Sequence, residues 1–106
     1  MKMITKTLEK QIPRIGAIQF VENPKAIIHY FNPFGSGDWY VLEGEKQENG
    51  DWLFFGYVKS PLDPLFDEYG YFTLSELESV KIIGDYGIER DLYWTQTPIK
   101  EIIGVN

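Results

Sequence analysis

Glu89 and Asp91 flank Arg90 in a run, Ile88 to Trp94, that alternates as a strand does, so both carboxylates point to one face. Carboxylates two residues apart can hold a hard cation such as Mg²⁺, or divide acid and base work between them. With Glu76 or Glu78 nearby, a nuclease-like centre could be assembled. The ordinary alternative pairs Arg90 with a carboxylate and leaves the acids in water. His29, the one histidine, could act as a general base. It lies in a strand-like run between Ile28 and Tyr30, with no serine or aspartate nearby in the sequence to complete a triad, so a structural role is the simpler reading. Asp63, Asp67 and Glu68 form an acidic loop, but without the alternating ligands, central glycine and distant glutamate of a calcium loop. Gly35-Ser36-Gly37 has the composition of a phosphate loop, yet no lysine follows, so it reads as a turn.

Composition removes other chemistries. The 106 residues contain no cysteine, which excludes disulfides, zinc-thiolate sites and cysteine nucleophiles, and one histidine excludes a multi-histidine metal site. That length supports one domain spanning residues 1–106, and 43% hydrophobic with 25% charged residues fits an ordinary globular chain. The first residues, Met1 to Lys6, carry lysines with no apolar run behind them, and no window approaches a membrane span. A soluble cytoplasmic protein is the expectation.

The elements that must position these groups follow from patterning. Thr5 to Ile12 reads as a short helix, with Leu8 and Ile12 on one face and Pro13 beyond it. Lys25 to Phe31 reads as a strand, and 32–37 as a loop. Trp39 to Glu45 and Trp52 to Lys59 are strand-like runs around Asn49-Gly50, the pair favoured by a type I′ hairpin turn. That turn sets Glu48 opposite Asp51 and Leu42 opposite Tyr57. Tyr40, Leu42, Leu53, Phe55 and Tyr57 then share one side of the ribbon, and Trp39, Val41, Trp52, Phe54 and Val58 the other. Both sides are apolar, so either other elements cover both or one is an exposed aromatic patch; full cover is the plainer expectation.

Residues 60–69 read as a loop with two prolines, followed by a short extended Gly70-Tyr71-Phe72. Thr73 to Glu76 matches a capping box, and Leu74, Leu77 and Val80 continue at helical spacing. Gly84 and Gly87 are expected to end that helix region. Thr97-Pro98 reads as a third helix start, with an apolar face from Ile99, Ile102 and Ile103. The fold class is therefore α+β: an antiparallel sheet of about four strands with a central hairpin, packed with three short helices.

Charge bears on partners. Residues 1–37 hold five basic against two acidic groups, whereas residues 38–91 hold thirteen acids against Lys46, Lys59, Lys81 and Arg90, and the chain totals −6. Ten dispersed basic residues make no footprint for a phosphate backbone, so direct nucleic-acid binding is not expected despite seventeen aromatic residues. The reverse idea is a surface that competes for a basic groove. DNA carries a charge every ~1.7 Å, so −6 is too little for a full mimic. A partial acidic patch with exposed aromatics could still block a basic site.

Most of the chain resembles an uncharacterised family, the domain of unknown function 2958. The resemblance rests on Trp39-Tyr40 with Glu43-Gly44, Phe54-Phe55-Gly56-Tyr57-Val58, Gly70 to Glu78 and Ile88 to Trp94. Ile4-Thr5-Lys6 with Leu8 and Pro13 resembles the family's start, while the loop 60–69 and Trp94 depart from its pattern. It implies a small intracellular accessory protein of plasmids, conjugative elements or phages, and by analogy an antagonist of restriction or CRISPR defence. It brings no active site.

The expectation is a non-enzymatic binding protein without a cofactor. Its partner would be a host or element-encoded protein, itself of nucleic-acid-handling type, met by Trp39, Glu43, Glu45, Trp52, Glu89 and Asp91. The alternatives are a metal-dependent enzyme acting on nucleic acid, with Glu89 and Asp91 as ligands, and a homodimeric module whose second hairpin face meets its copy.

Overall fold

The computed structural model describes residues 2–104. Helix α1 spans Lys6–Gln11 and begins where Thr5 Oγ1 accepts the Leu8 amide at 3.2 Å. The expected strand from Lys25 divides into β1 (Lys25–Ala26) and β2 (Ile28–Phe31). The central hairpin is β3 (Asp38–Lys46) and β4 (Trp52–Lys59). A single 3₁₀ turn, Pro64–Phe66, breaks the proline loop, and β5 (Glu68–Thr73) runs directly into α2 (Leu74–Ser79). Next come β6 (Lys81–Ile83), β7 (Tyr86–Gly87), β8 (Glu89–Arg90), β9 (Thr97–Pro98) and α3 (Ile99–Ile103). The main sheet has five antiparallel strands in the order β5-β4-β3-β2-β8; β1 pairs with β9, and β6 with β7. The class is α+β with three short helices, as expected. No helix among the described residues is long and apolar enough to cross a membrane.

The hairpin turn differs from the expected type. The Gly50 amide bonds the Gln47 carbonyl at 3.0 Å, and the Gln47 amide bonds the Asp51 carbonyl at 2.7 Å. Among the described non-glycine residues none has positive φ; Gly50 does, at 88°. This is a three-residue loop ending in a left-handed glycine, not the two-residue turn that would need positive φ at Asn49 as well. Lys46 therefore opposes Trp52, and Tyr40 opposes Tyr57. A bulge between Val41 and Glu43 supplies the remaining offset. The turn and the bulge together shift the register by two residues at the Tyr40 end. The faces expected for Trp39 to Leu42 are kept, while Glu43 moves to the side of Phe55.

One side of the sheet is sealed. Ile28, Tyr30, Val41, Trp52 and Phe54 pack with Phe72, Leu74, Leu77 and Ile12, and Leu8 of α1 lies against them. The Tyr30 hydroxyl donates to the Met3 carbonyl at 2.7 Å, tying down the N-terminal segment. Thr73 caps α2 through the Glu76 amide as expected, and Asp51 at the hairpin end adds a second acceptor for the Ser75 amide at 3.0 Å. The Ser75 hydroxyl bond, ahead of those from backbone amides, holds the Asp51 carboxyl below its ordinary pKa.

Two further expectations are corrected. The helix stops at Ser79, and residues 81–87 turn back as the β6–β7 hairpin. Thr97-Pro98 is strand β9, not a capped helix start: the Thr97 hydroxyl bonds the Thr95 carbonyl, and α3 begins without a side-chain cap. Pairing with β1 decides the conformation there, overriding the local helix signal.

Candidate functional site

The other side of the sheet divides into a covered half and an open half. Over β2 and β3, Tyr40, Leu42 and Ala26 pack with Ile99, and Ile18, Trp94, Ile102 and Ile103 flank them.

His29 lies in the covered half. Its Nδ1 is 2.9 Å from Asp91 Oδ2, and its Nε2 is 2.7 Å from Asp38 Oδ1. The ring stacks on Tyr40 at 4.6 Å, and Trp94 closes on it at 5.1 Å. Trp94 holds its own place by donating Nε1–H to the Ala26 carbonyl at 2.9 Å. The sequence concealed both aspartates, because Asp38 lies nine residues away and Asp91 sixty-two. Burial alone would push the imidazole pKa down; the two aspartate hydrogen bonds and charges more than offset it, and it is raised. Burial, then the charges of Asp38 and Asp91, pushes the Tyr40 hydroxyl up to about 12.

With a carboxylate on each nitrogen, the ring serves as a cationic clamp between β3 and the segment after β8. A raised folded-state pKa contributes stability that is complete below the unfolded value, about 6.5, and is lost as pH rises through the folded value. The melting midpoint of the protein is expected to fall as pH climbs above about 6.5 and through the raised folded-state value. His29→Gln is expected to flatten that slope. Thermal melts across pH check this; a wild-type midpoint that stays level through the window contradicts it.

The open half lies over β4 and β5. Phe55 opposes Tyr71, and Tyr57 opposes Tyr69. Their rings touch: Phe55 and Tyr71 at 5.1 Å, Phe55 and Tyr69 stacked at 6.1 Å, Tyr57 and Tyr69 edge-on at 5.1 Å. Tyr69 is 49% exposed and Tyr71 63%. Burial, then the Asp67 charge and Tyr69, raises the Tyr57 hydroxyl pKa. The patch ends in a cavity of about 410 Å³ lined by Ile15, Gly16, Ile18, Gln19, Glu43, Phe55 and Tyr71. Glu43 is 4% exposed, and its Oε2 accepts the Ile18 amide at 2.9 Å.

The residues expected to meet a partner are placed as follows. Trp52 is buried, and Trp39 packs against the sealed core, so neither tryptophan forms an open surface. Alternation about the core puts both on the inner side of the sheet. Glu43 is buried beside the aromatic cavity, because the bulge turns it there. Glu45 is exposed, opposite Leu53. Glu89 borders a separate cleft with Glu78, Lys81, Asp85 and Tyr86. Asp91 is engaged on both oxygens: Oδ2 with His29, and Oδ1 with the Tyr93 amide at 3.0 Å. Strand β8 ends at Arg90, whose Nε donates to the Lys2 carbonyl at 2.9 Å. Among the described residues, no group of three or more His, Asp or Glu is placed to hold a metal ion.

Sequence reasoning missed Tyr69 and Tyr71 as site residues. The signal was present: Tyr69, Tyr71 and Thr73 alternate, which extends the short run at Gly70 into a strand.

No curated protein and no solved structure matches the chain. A family model described as a protein of unknown function, DUF2958, matches residues 3–103, and the chain belongs to that family.

Proposed function

We propose that the protein is a small acidic binding protein of a mobile genetic element or phage. It acts in the cytoplasm without catalysis, by occupying a basic surface on a host or element-encoded protein that handles nucleic acid. The observation that carries this reading is the half-open aromatic face of β4 and β5, built from Phe55, Tyr57, Tyr69 and Tyr71. Exposed rings in mutual contact are the residue types that anchor protein interfaces, since they bury much area at little entropic cost. The strands presenting them belong to the segment 38–91, with its thirteen acids and four basic residues, which fits a basic partner and repels nucleic acid. The setting implied by the family favours an antagonist of restriction or CRISPR machinery as the specific role.

The test is affinity capture from the native host, followed by association kinetics with the purified prey. A basic, nucleic-acid-handling protein is expected, with association slowing as salt rises. An acidic prey, or a rate indifferent to salt, overturns the reading. So does a dimeric sedimentation mass of the pure protein that Tyr69→Ala/Tyr71→Ala abolishes, because the face would then serve self-association.

A further inference from the structure

We propose that the cavity at the end of the aromatic face receives an arginine side chain from a basic segment of the partner, with Glu43 as its counter-ion. The proposal rests on the binding reading above and names the group that the site recognises. Three observations converge on it. Glu43 is a carboxylate 4% exposed in a wall shared with Ile15, Gly16, Ile18, Gln19, Phe55 and Tyr71, so it is the one charged group lining the cavity. Its one hydrogen bond among the described residues comes from a neutral donor, the Ile18 amide, and no lysine, arginine or histidine forms an ion pair with it. The cavity, about 410 Å³, lies within the size range of small ligand sites and is roomy enough for a guanidinium and its stem.

A buried carboxylate without a cation is costly, and a cation entering beside it recovers that cost. The geometry selects the cation's chemistry. A guanidinium can donate to the Glu43 carboxylate while its plane stacks on the Phe55 or Tyr71 ring, and its three-carbon stem lies against the isoleucines. A phosphate or a carboxylate would meet Glu43 directly and be repelled. Glu43 reaches this wall because the bulge at Leu42 reverses the alternation of β3; in regular alternation it would face the sealed core.

The probes are two short peptides, one rich in arginine and one with citrulline at the same positions. Citrulline keeps the shape and removes the charge. Amide chemical shifts of the full chain, followed during titration, report the site. Shifts at Gly16, Ile18 and Tyr71 are expected with the arginine peptide and not with the citrulline peptide. Glu43→Gln keeps an acceptor for the Ile18 amide and is expected to weaken arginine-peptide binding about tenfold or more, the worth of one charge-assisted hydrogen bond. Tyr71→Ala, at an exposed ring, is expected to weaken it as well and decides the matter should Glu43→Gln fail to fold. Equal affinity for both peptides, or an unchanged affinity in a folded Glu43→Gln protein, overturns the proposal. Shifts confined to outlying acids such as Glu68 and Asp63 also overturn it. A natural partner that is lost with Tyr69→Ala/Tyr71→Ala but kept by Glu43→Gln leaves the binding reading intact and removes the arginine pocket alone.

Discussion

Gly56→Ala is expected to destabilise the protein more than any other small substitution in its sheet. Gly56 is buried in β4, opposite Val41 on one side and Gly70 on the other. A methyl group built on it would overlap the Tyr40 carbonyl oxygen and crowd the Val41 backbone. Those are main-chain atoms at the bulge, so no side chain can swing aside. The β3–β4 pairing would have to open, and it joins the sealed core to the aromatic face. A clash of this kind belongs among the largest single-residue effects, about 4 kcal/mol or more, against a total stability of about 5–15 kcal/mol. Gly70→Ala is the control, since nothing lies within 4 Å of a methyl there; it should stay within about 0.5 kcal/mol of wild type. Denaturant titration followed by circular dichroism measures both. A Gly56→Ala protein with wild-type stability would mean that the bulge does not close on this glycine.

The largest functional effect is expected from Tyr69→Ala/Tyr71→Ala. Both rings stand on β5, the outer edge strand of the sheet, and both are exposed, so removing them leaves the core intact. The melting midpoint should therefore move by only a few degrees, on the order of 1 kcal/mol for two surface truncations. Aromatic anchors at interfaces each contribute about 2 kcal/mol, so losing two should weaken partner binding by about 100-fold or more. Isothermal titration with the captured partner gives the number. Near-wild-type affinity in a folded double variant removes this face from the interface.

Much of the fold was legible because its strongest signals are local. The aromatic-rich run Trp52 to Lys59 follows the Asn49-Gly50 turn and forms a strand, and Thr73 to Glu76 carries a capping pattern that the structure uses through the Thr73 hydroxyl. The errors fall where tertiary pairing overrides local chemistry. Thr97-Pro98 looks like a helix start and becomes a strand because Lys25 and Ala26 pair with it. Residues 81–83, after α2, carry apolar residues that suit either a helix or a hairpin, and the turn at Gly84 decides for the hairpin.

The site was less legible than the fold. Apolar residues on both sides of the hairpin showed that one side could remain open, but not which half of it. The covering segments, Ile18, Trp94 and α3, come from distant parts of the chain and leave Tyr69 and Tyr71 exposed. By sequence Glu43 reads as a partner-contacting acid, whereas the bulge buries it. No alternation rule announces a bulge, and here it is what brings a carboxylate to an aromatic wall. The clamp on His29 was hidden because its two aspartates meet it only through β2 pairing with β3 on one side and β8 on the other.

Hydrogen exchange on the complex with the captured partner would show which strands and loops the partner covers. Slowed exchange is expected in β5 and in the 14–20 loop beside Glu43, with α1 and the segment around His29 unchanged. Protection on α1 and α2 instead, with β5 exchanging as in the free protein, would contradict the proposed aromatic interface.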